Sequence, residues 1–176
     1  MTSTPAAEAL AAEVLALAKR SALRIAVAES LTGGLLADAL VSIPGASSAF
    51  SGGVVAYDTD LKRRLLGVDA AVLREHGPVA AAVARQMARG VRQSCAVARA
   101  GEGPAVWADL GVSTTGVAGP DPDPQTGQPA GTVWVGVSSA AGDQAIPVTL
   151  AGSRAEIRRQ AVVAALSALR DVLQKI

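Results

Sequence analysis

The order of elements along this chain predicts an α/β fold, a three-layer α/β/α sandwich around a mixed five-stranded sheet in which strand four runs antiparallel. Three observations carry that expectation. An apolar, partly β-branched run, Leu23-Arg24-Ile25-Ala26-Val27-Ala28, leads into a polar turn, Glu29-Ser30-Leu31-Thr32-Gly33-Gly34, and then into a segment of good helix formers from Leu35. Helical patterns separate the first three apolar runs, which makes those strands parallel. Short connections join the last three, which reverses strand four against strands three and five.

Thr4-Pro5 opens a helix that ends near Arg20, since proline is tolerated at the first helical position. The helix after the Ser30 turn runs to about Ser42, where Ile43-Pro44-Gly45-Ala46-Ser47-Ser48 breaks it. A second strand spans about Ser51 to Tyr57 and a short helix about Asp60 to Leu66, with Thr59 as its cap. Another helical turn covers Ala70 to Glu75, and Gly77-Pro78 opens a long helix from Val79 to about Ala98. A loop over 100–104 precedes a third strand at about Val106 to Thr114. The segment Gly116 to Ala130 has no apolar periodicity, and loops of that length in compact domains tend to serve function. Strand four is Gly131 to Ser138. Strand five is Ile146 to Leu150, and Pro147 marks it as an edge. Ser153 and Glu156 form a capping box for a last helix that runs to about Gln174.

At 176 residues one domain is expected, over 1–176. A net charge of +1 and an aromatic content of 2% argue against a nucleic-acid surface, which needs cations and stacking platforms. No apolar run approaches the roughly 20 residues that span a bilayer, and the N-terminus with Glu8 and Glu13 is no signal peptide. A cytoplasmic location with no membrane partner is therefore expected. The single cysteine, Cys95, and single histidine, His76, offer neither a disulfide framework nor a metal cluster, so no metal and no cofactor are expected. A homo-oligomer is compatible with this composition.

The candidate chemistry gathers at the carboxyl ends of the strands, where open α/β sheets usually bind ligands. Ser30 or Thr32 can simply cap a helix. The same turn also lifts hydroxyls to a helix start whose N–H groups attract anions. With Thr59 as cap, Lys62 takes the third helical position of Tyr57-Asp58-Thr59-Asp60-Leu61-Lys62, where the helix dipole disfavours a cation. A lysine so placed is either a surface residue or one with a lowered pKa suited to a base, although Asp58 and Asp60 pull the other way. Ser30, Ser47, Tyr57 and Lys62 are expected to converge in one cleft, and serine with lysine is a nucleophile and base pairing for amides. Thr115-Gly116-Val117-Ala118-Gly119-Pro120-Asp121 follows strand three at the same edge, where glycines let backbone N–H groups approach an anion. Arg154, in the first turn of the last helix, either faces solvent like its neighbours or clamps a phosphate. Together these describe a pocket for a small phosphorylated amide.

Those motifs, with Pro44-Gly45-Ala46-Ser47-Ser48, Leu66-Gly67-Val68 and Gly131-Thr132-Val133-Trp134, occur in the order of the CinA C-terminal domain family, which the chain resembles from about Ala6 to Leu173. The resemblance implies a three-layer α/β/α fold and nicotinamide mononucleotide as substrate: hydrolysis of the ring carboxamide to nicotinate mononucleotide and ammonia, a step of pyridine-nucleotide salvage. Matched motif to motif, it implies Ser30 as nucleophile, Lys62 as base, and Tyr57 and Ser47 as further active-site hydroxyls; Ser47 stays beside Ser30 as a possible attacking serine. It implies ligand contacts from Thr32, Gly33 and Gly34 in the serine turn, from Thr115, Gly116 and Gly119 in the loop, and from Arg154 near the phosphate. Three positions depart from the family pattern: Leu31 stands where cysteine is usual, Thr59 where asparagine is common and Ala80 where a capping serine is frequent. The rival expectations are a nucleotide-binding or regulatory module that keeps the pocket without turnover, and a phosphoesterase, which would need a metal that no carboxylate and histidine cluster supports.

Overall fold

A computed structural model of the chain describes residues 4–98 and 103–176. Five strands form one sheet in the order β2-β1-β5-β6-β7: β1 Ile25–Glu29, β2 Phe50–Val55, β5 Leu110–Gly116, β6 Thr132–Ser139 and β7 Gly142–Thr149. β1 pairs in parallel with β2 and β5, while β6 is antiparallel to both β5 and β7, as the connections predict. β1 lies inside the sheet, with all five residues buried, so its sequence runs apolar instead of alternating. β7 is the edge, and there Pro147 sits opposite Trp134 with no further strand to require its missing N–H.

Helices α1 (Pro5–Arg20), α2 (Leu35–Val41) and α6 (Arg154–Leu173) cover one face. Their core joins Val14, Leu36, Leu40, Leu166 and Leu169 to the Ile25, Val27, Val112 and Val135 side of the strands. Helices α3 (Thr59–Leu66), α4 (Ala70–His76) and α5 (Ala81–Ser94) cover the other, packing Leu66, Leu73, Val83, Met87 and Val91 against Ala26 and Ala28. α5 lies so close to the sheet that a Cβ at Gly111 or Gly136 would strike the carbonyls of Ala88 or Ala84. Ser113 also donates a 2.7 Å hydrogen bond to the Ala84 carbonyl.

Several expected boundaries move. The cap of α3 is Asp58, which accepts from the Asp60 N–H at 2.8 Å, so Lys62 is the fourth helical residue and not the third. The sequence offers two adjacent capping residues, and the carboxylate takes the helix start. β2 ends at Val55, two residues before Tyr57. The long helix is shorter at both ends, and its cap, Ala80, has no side chain to offer. The stretch expected to finish that helix, Val97–Ala98, forms β3, which pairs with β4 (Ala105–Val106) in a separate two-stranded ribbon. The third strand of the main sheet therefore starts at Leu110, not Val106. The loop expected over 100–104 lies partly outside the described residues.

Candidate active site

Ser30 leaves the end of β1, where its N–H still donates to the Thr114 carbonyl of β5 at 3.0 Å. Glu29, immediately before it, is fully buried, and its carboxylate accepts from the N–H groups of Gly34 (2.9 Å), Leu36 (3.0 Å) and Ala37 (2.8 Å). This corrects the expectation that the α2 start would offer free N–H groups to a ligand: the protein's own anion already occupies it. Gly33 and Gly34 take left-handed φ values of 58° and 99°, which returns the chain to the helix beneath Glu29. Thr32 is also buried behind the turn, where its hydroxyl shares a 2.7 Å hydrogen bond with that of Thr114.

Lys62 reaches this turn from α3 and is 1% exposed. Its Nζ donates to Ser30 Oγ at 3.0 Å and to the Ala56 carbonyl at 2.9 Å. Burial lowers its pKa from 10.5 to about 8, and the nearby Asp58 carboxylate opposes the shift. The perturbation expected from the helix dipole thus has desolvation as its main cause. An amine with a pKa near 8, in contact with a hydroxyl, can exchange a proton with it near neutral pH.

The pair opens into a cavity of about 500 Å³, a size suited to a small ligand. Its wall is formed by Pro78 and Val79 before α5, the end of β5 with Thr115 and Gly116, and the loop that follows. The Thr115 hydroxyl donates to the Pro78 carbonyl at 2.7 Å and so braces the wall. At the rim, Arg154 donates from Nη1 to the Gly119 carbonyl at 2.7 Å and from Nη2 to the Tyr57 hydroxyl at 2.8 Å. Tyr57 is 60% exposed. The outer loop residues Asp121 and Pro122 also line the cavity.

Ser30, Tyr57, Lys62, Thr115, Gly116, Gly119 and Arg154 therefore share one cavity. Thr32, Gly33 and Gly34 shape the turn behind it without lining it. Ser47 is the correction: it precedes β2, whose first residue pairs with the first residue of β1, and so it sits at the amino edge of the sheet. A residue before a parallel strand cannot share an edge with one that follows it. The Ser47 carbonyl instead accepts from Arg24 Nη1 at 2.9 Å. Sequence reasoning missed the capping role of Glu29, although an acidic residue just before a helix start is its signal. It also passed over Arg158, one turn after Arg154. Among the described residues, no group of three or more histidine, cysteine or carboxylate side chains is placed to hold a metal ion.

A doubly covered, mixed α/β sheet with a buried serine–lysine contact at the carboxyl edge defines the class of this protein. The profile of the CinA C-terminal domain matches residues 7–173, and the chain belongs to that family. A CinA-like protein of Frankia casuarinae is 44% identical over 166 residues, and one of Gemmatimonas aurantiaca is 44% identical over 161. These alignments take in 94% and 92% of this chain but only 35% of either relative, so the chain spans about a third of the length of the curated relatives it matches. The crystal structure of the competence/damage inducible protein CihA from Agrobacterium tumefaciens superposes with a TM-score of 0.86 at 30% identity, covering 99% of both chains. That of the competence damage-inducible protein A from Klebsiella pneumoniae gives 0.84 at 32% identity, covering 96% of this chain and 97% of that one.

Proposed function

We propose that this chain is a nicotinamide-nucleotide amidase, which hydrolyses the carboxamide of nicotinamide mononucleotide to nicotinate mononucleotide and ammonia. The observation that carries the reading is the 3.0 Å contact between a buried lysine of lowered pKa and the Ser30 hydroxyl, at the floor of a ligand-sized cavity. The neutral Lys62 amine accepts the Ser30 proton as Oγ attacks the carboxamide carbon. The resulting ammonium then gives that proton to the leaving nitrogen, the carbon–nitrogen bond breaks and ammonia departs. Water, deprotonated by the same amine, attacks the acyl ester and returns Ser30 with the nicotinate carboxylate. At the rim, Arg154 supplies a guanidinium for the phosphate, with the Tyr57 hydroxyl beside it.

Ammonia release from nicotinamide mononucleotide by the purified chain tests this directly, beside Ser30→Ala and Lys62→Ala. Turnover by the parent that is lost in both folded variants supports the reading. Tight mononucleotide binding without ammonia would replace it with a binding module, and release of inorganic phosphate with a phosphoesterase.

A further inference from the structure

We infer that Arg158 is a positioning residue for the nucleophile: it fixes the turn that carries Ser30 against Lys62 and links that turn to the ligand-facing start of α6. The inference rests on the amidase reading above.

The Arg158 guanidinium crosses from α6 to the serine turn, donating from Nε to the Leu31 carbonyl at 2.9 Å and from Nη2 to the Thr32 carbonyl at 2.8 Å. These are the two carbonyls immediately after Ser30. A planar fork that engages consecutive carbonyls restrains both peptide planes, which a single ammonium cannot do. The turn is shaped to admit it. Gly33 has a φ of 58°, and a Cβ there would stand 3.1 Å from Arg158 Nη2, so a side chain would crowd the guanidinium. Leu31 adds an apolar contact, packing with Ala118, Ile157 and Ala161 of the loop and α6.

The turn is thus held from two directions. Glu29 ties its far end to α2 through three N–H groups, and Arg158 ties its near end to α6. Arg154 lies one helical turn before Arg158 and bonds Tyr57 and Gly119 at the cavity mouth. A ligand that engages Arg154 therefore bears on the same rigid helix that sets Ser30. Loosening the Arg158 clamp leaves the cavity and its rim intact but lets Ser30 Oγ drift from the attacking position. Displacements of about 1 Å there cost on the order of 100-fold in rate.

The test compares Arg158→Gln, Arg158→Lys and, as a control, Arg159→Gln on the next residue of α6. Four quantities are read: melting temperature, kcat and KM for ammonia release, and the rate at which a fluorophosphonate labels Ser30. In the labelling reaction Ser30 Oγ displaces fluoride from phosphorus and its proton passes to Lys62, so the rate reports the nucleophile without any amide substrate. We expect Arg158→Gln to lower kcat and the labelling rate together by about 10- to 100-fold, with KM within about threefold of the parent. Arg158→Lys falls between, and Arg159→Gln matches the parent. If Arg158→Gln folds poorly, rates normalised to the folded fraction and the Arg158→Lys protein carry the same comparison. Normalised kcat and labelling rates within about twofold of the parent would overturn the inference. So would a loss confined to KM. A parent that is labelled but releases no ammonia sinks the amidase reading and leaves the labelling comparison standing.

Discussion

Lys62 stands in conflict with its surroundings: a long cationic side chain is almost wholly withdrawn from water. With a pKa of about 8, roughly a tenth of the amines are neutral at pH 7 and half at pH 8. If that amine is the base, kcat/KM falls about tenfold per unit below pH 8 and levels off above it, which a pH profile of ammonia release reads directly. Removing Arg154 acts on binding instead. Arg154→Met takes away the guanidinium expected to meet the phosphate and leaves the Ser30–Lys62 contact in place. The expected loss is about 10- to 100-fold in kcat/KM, mainly as a raised KM in steady-state kinetics. Of the residues that share the cavity, Ser30, Lys62 and Arg154 are legible in the sequence as candidates because each breaks or exploits a local rule at the end of a strand or the start of a helix. Ser47 carries no such local mark: it precedes β2, and only the direction of that strand in the sheet puts it at the edge opposite Ser30.

Two elements depend on contacts that local pattern does not reveal. α2 is only seven residues long, has no side-chain cap from Gly34 and begins on the buried Glu29 carboxylate. Glu29→Gln turns one of those oxygens into a donor facing N–H groups. It should lower unfolding free energy by about 2–3 kcal/mol, measured by denaturant titration, and lower activity through the Ser30 turn. α5 rests on the sheet through glycine. Gly136→Ala places a methyl group against the Ala84 carbonyl and Ser113 Oγ, so α5 must shift outward. The expected cost is about 1–3 kcal/mol, seen as a lower melting temperature. α5 was legible as a helix from its periodic Val83, Met87 and Val91, while its early end was not. The β3–β4 pairing that follows it is a contact between segments, and nothing in either short stretch announces it.

At the scale of the whole molecule, the site has a stability cost with a definite sign. The unfolded chain holds the Lys62 proton up to about pH 10.5, whereas the folded protein releases it near 8. Between those values the unfolded state binds more protons, so raising the pH stabilises the fold; below 8 the penalty for the buried charge is present in full. The difference in unfolding free energy between the parent and Lys62→Met should therefore move in favour of the parent by about 3 kcal/mol at most from pH 7 to pH 10.5. Urea titrations of both proteins at several pH values check it. A flat difference would mean that the lysine is not charged and desolvated in the fold at neutral pH.

The mixed sheet with its parallel-to-antiparallel change followed from periodicity and from the connections between strands, and the edge position of Pro147 from its missing N–H, because those rules act along the chain and are satisfied locally. The order of the strands in the sheet did not follow from them. The depth of Lys62 and the occupation of the α2 start by Glu29 did not follow either. Nor did the reach of Arg158 to the serine turn or the separation of Ser47 from the site. Each of these depends on which surfaces meet once the helices close over the sheet. Burial and charge pairing belong to that meeting, and no stretch of sequence contains it alone.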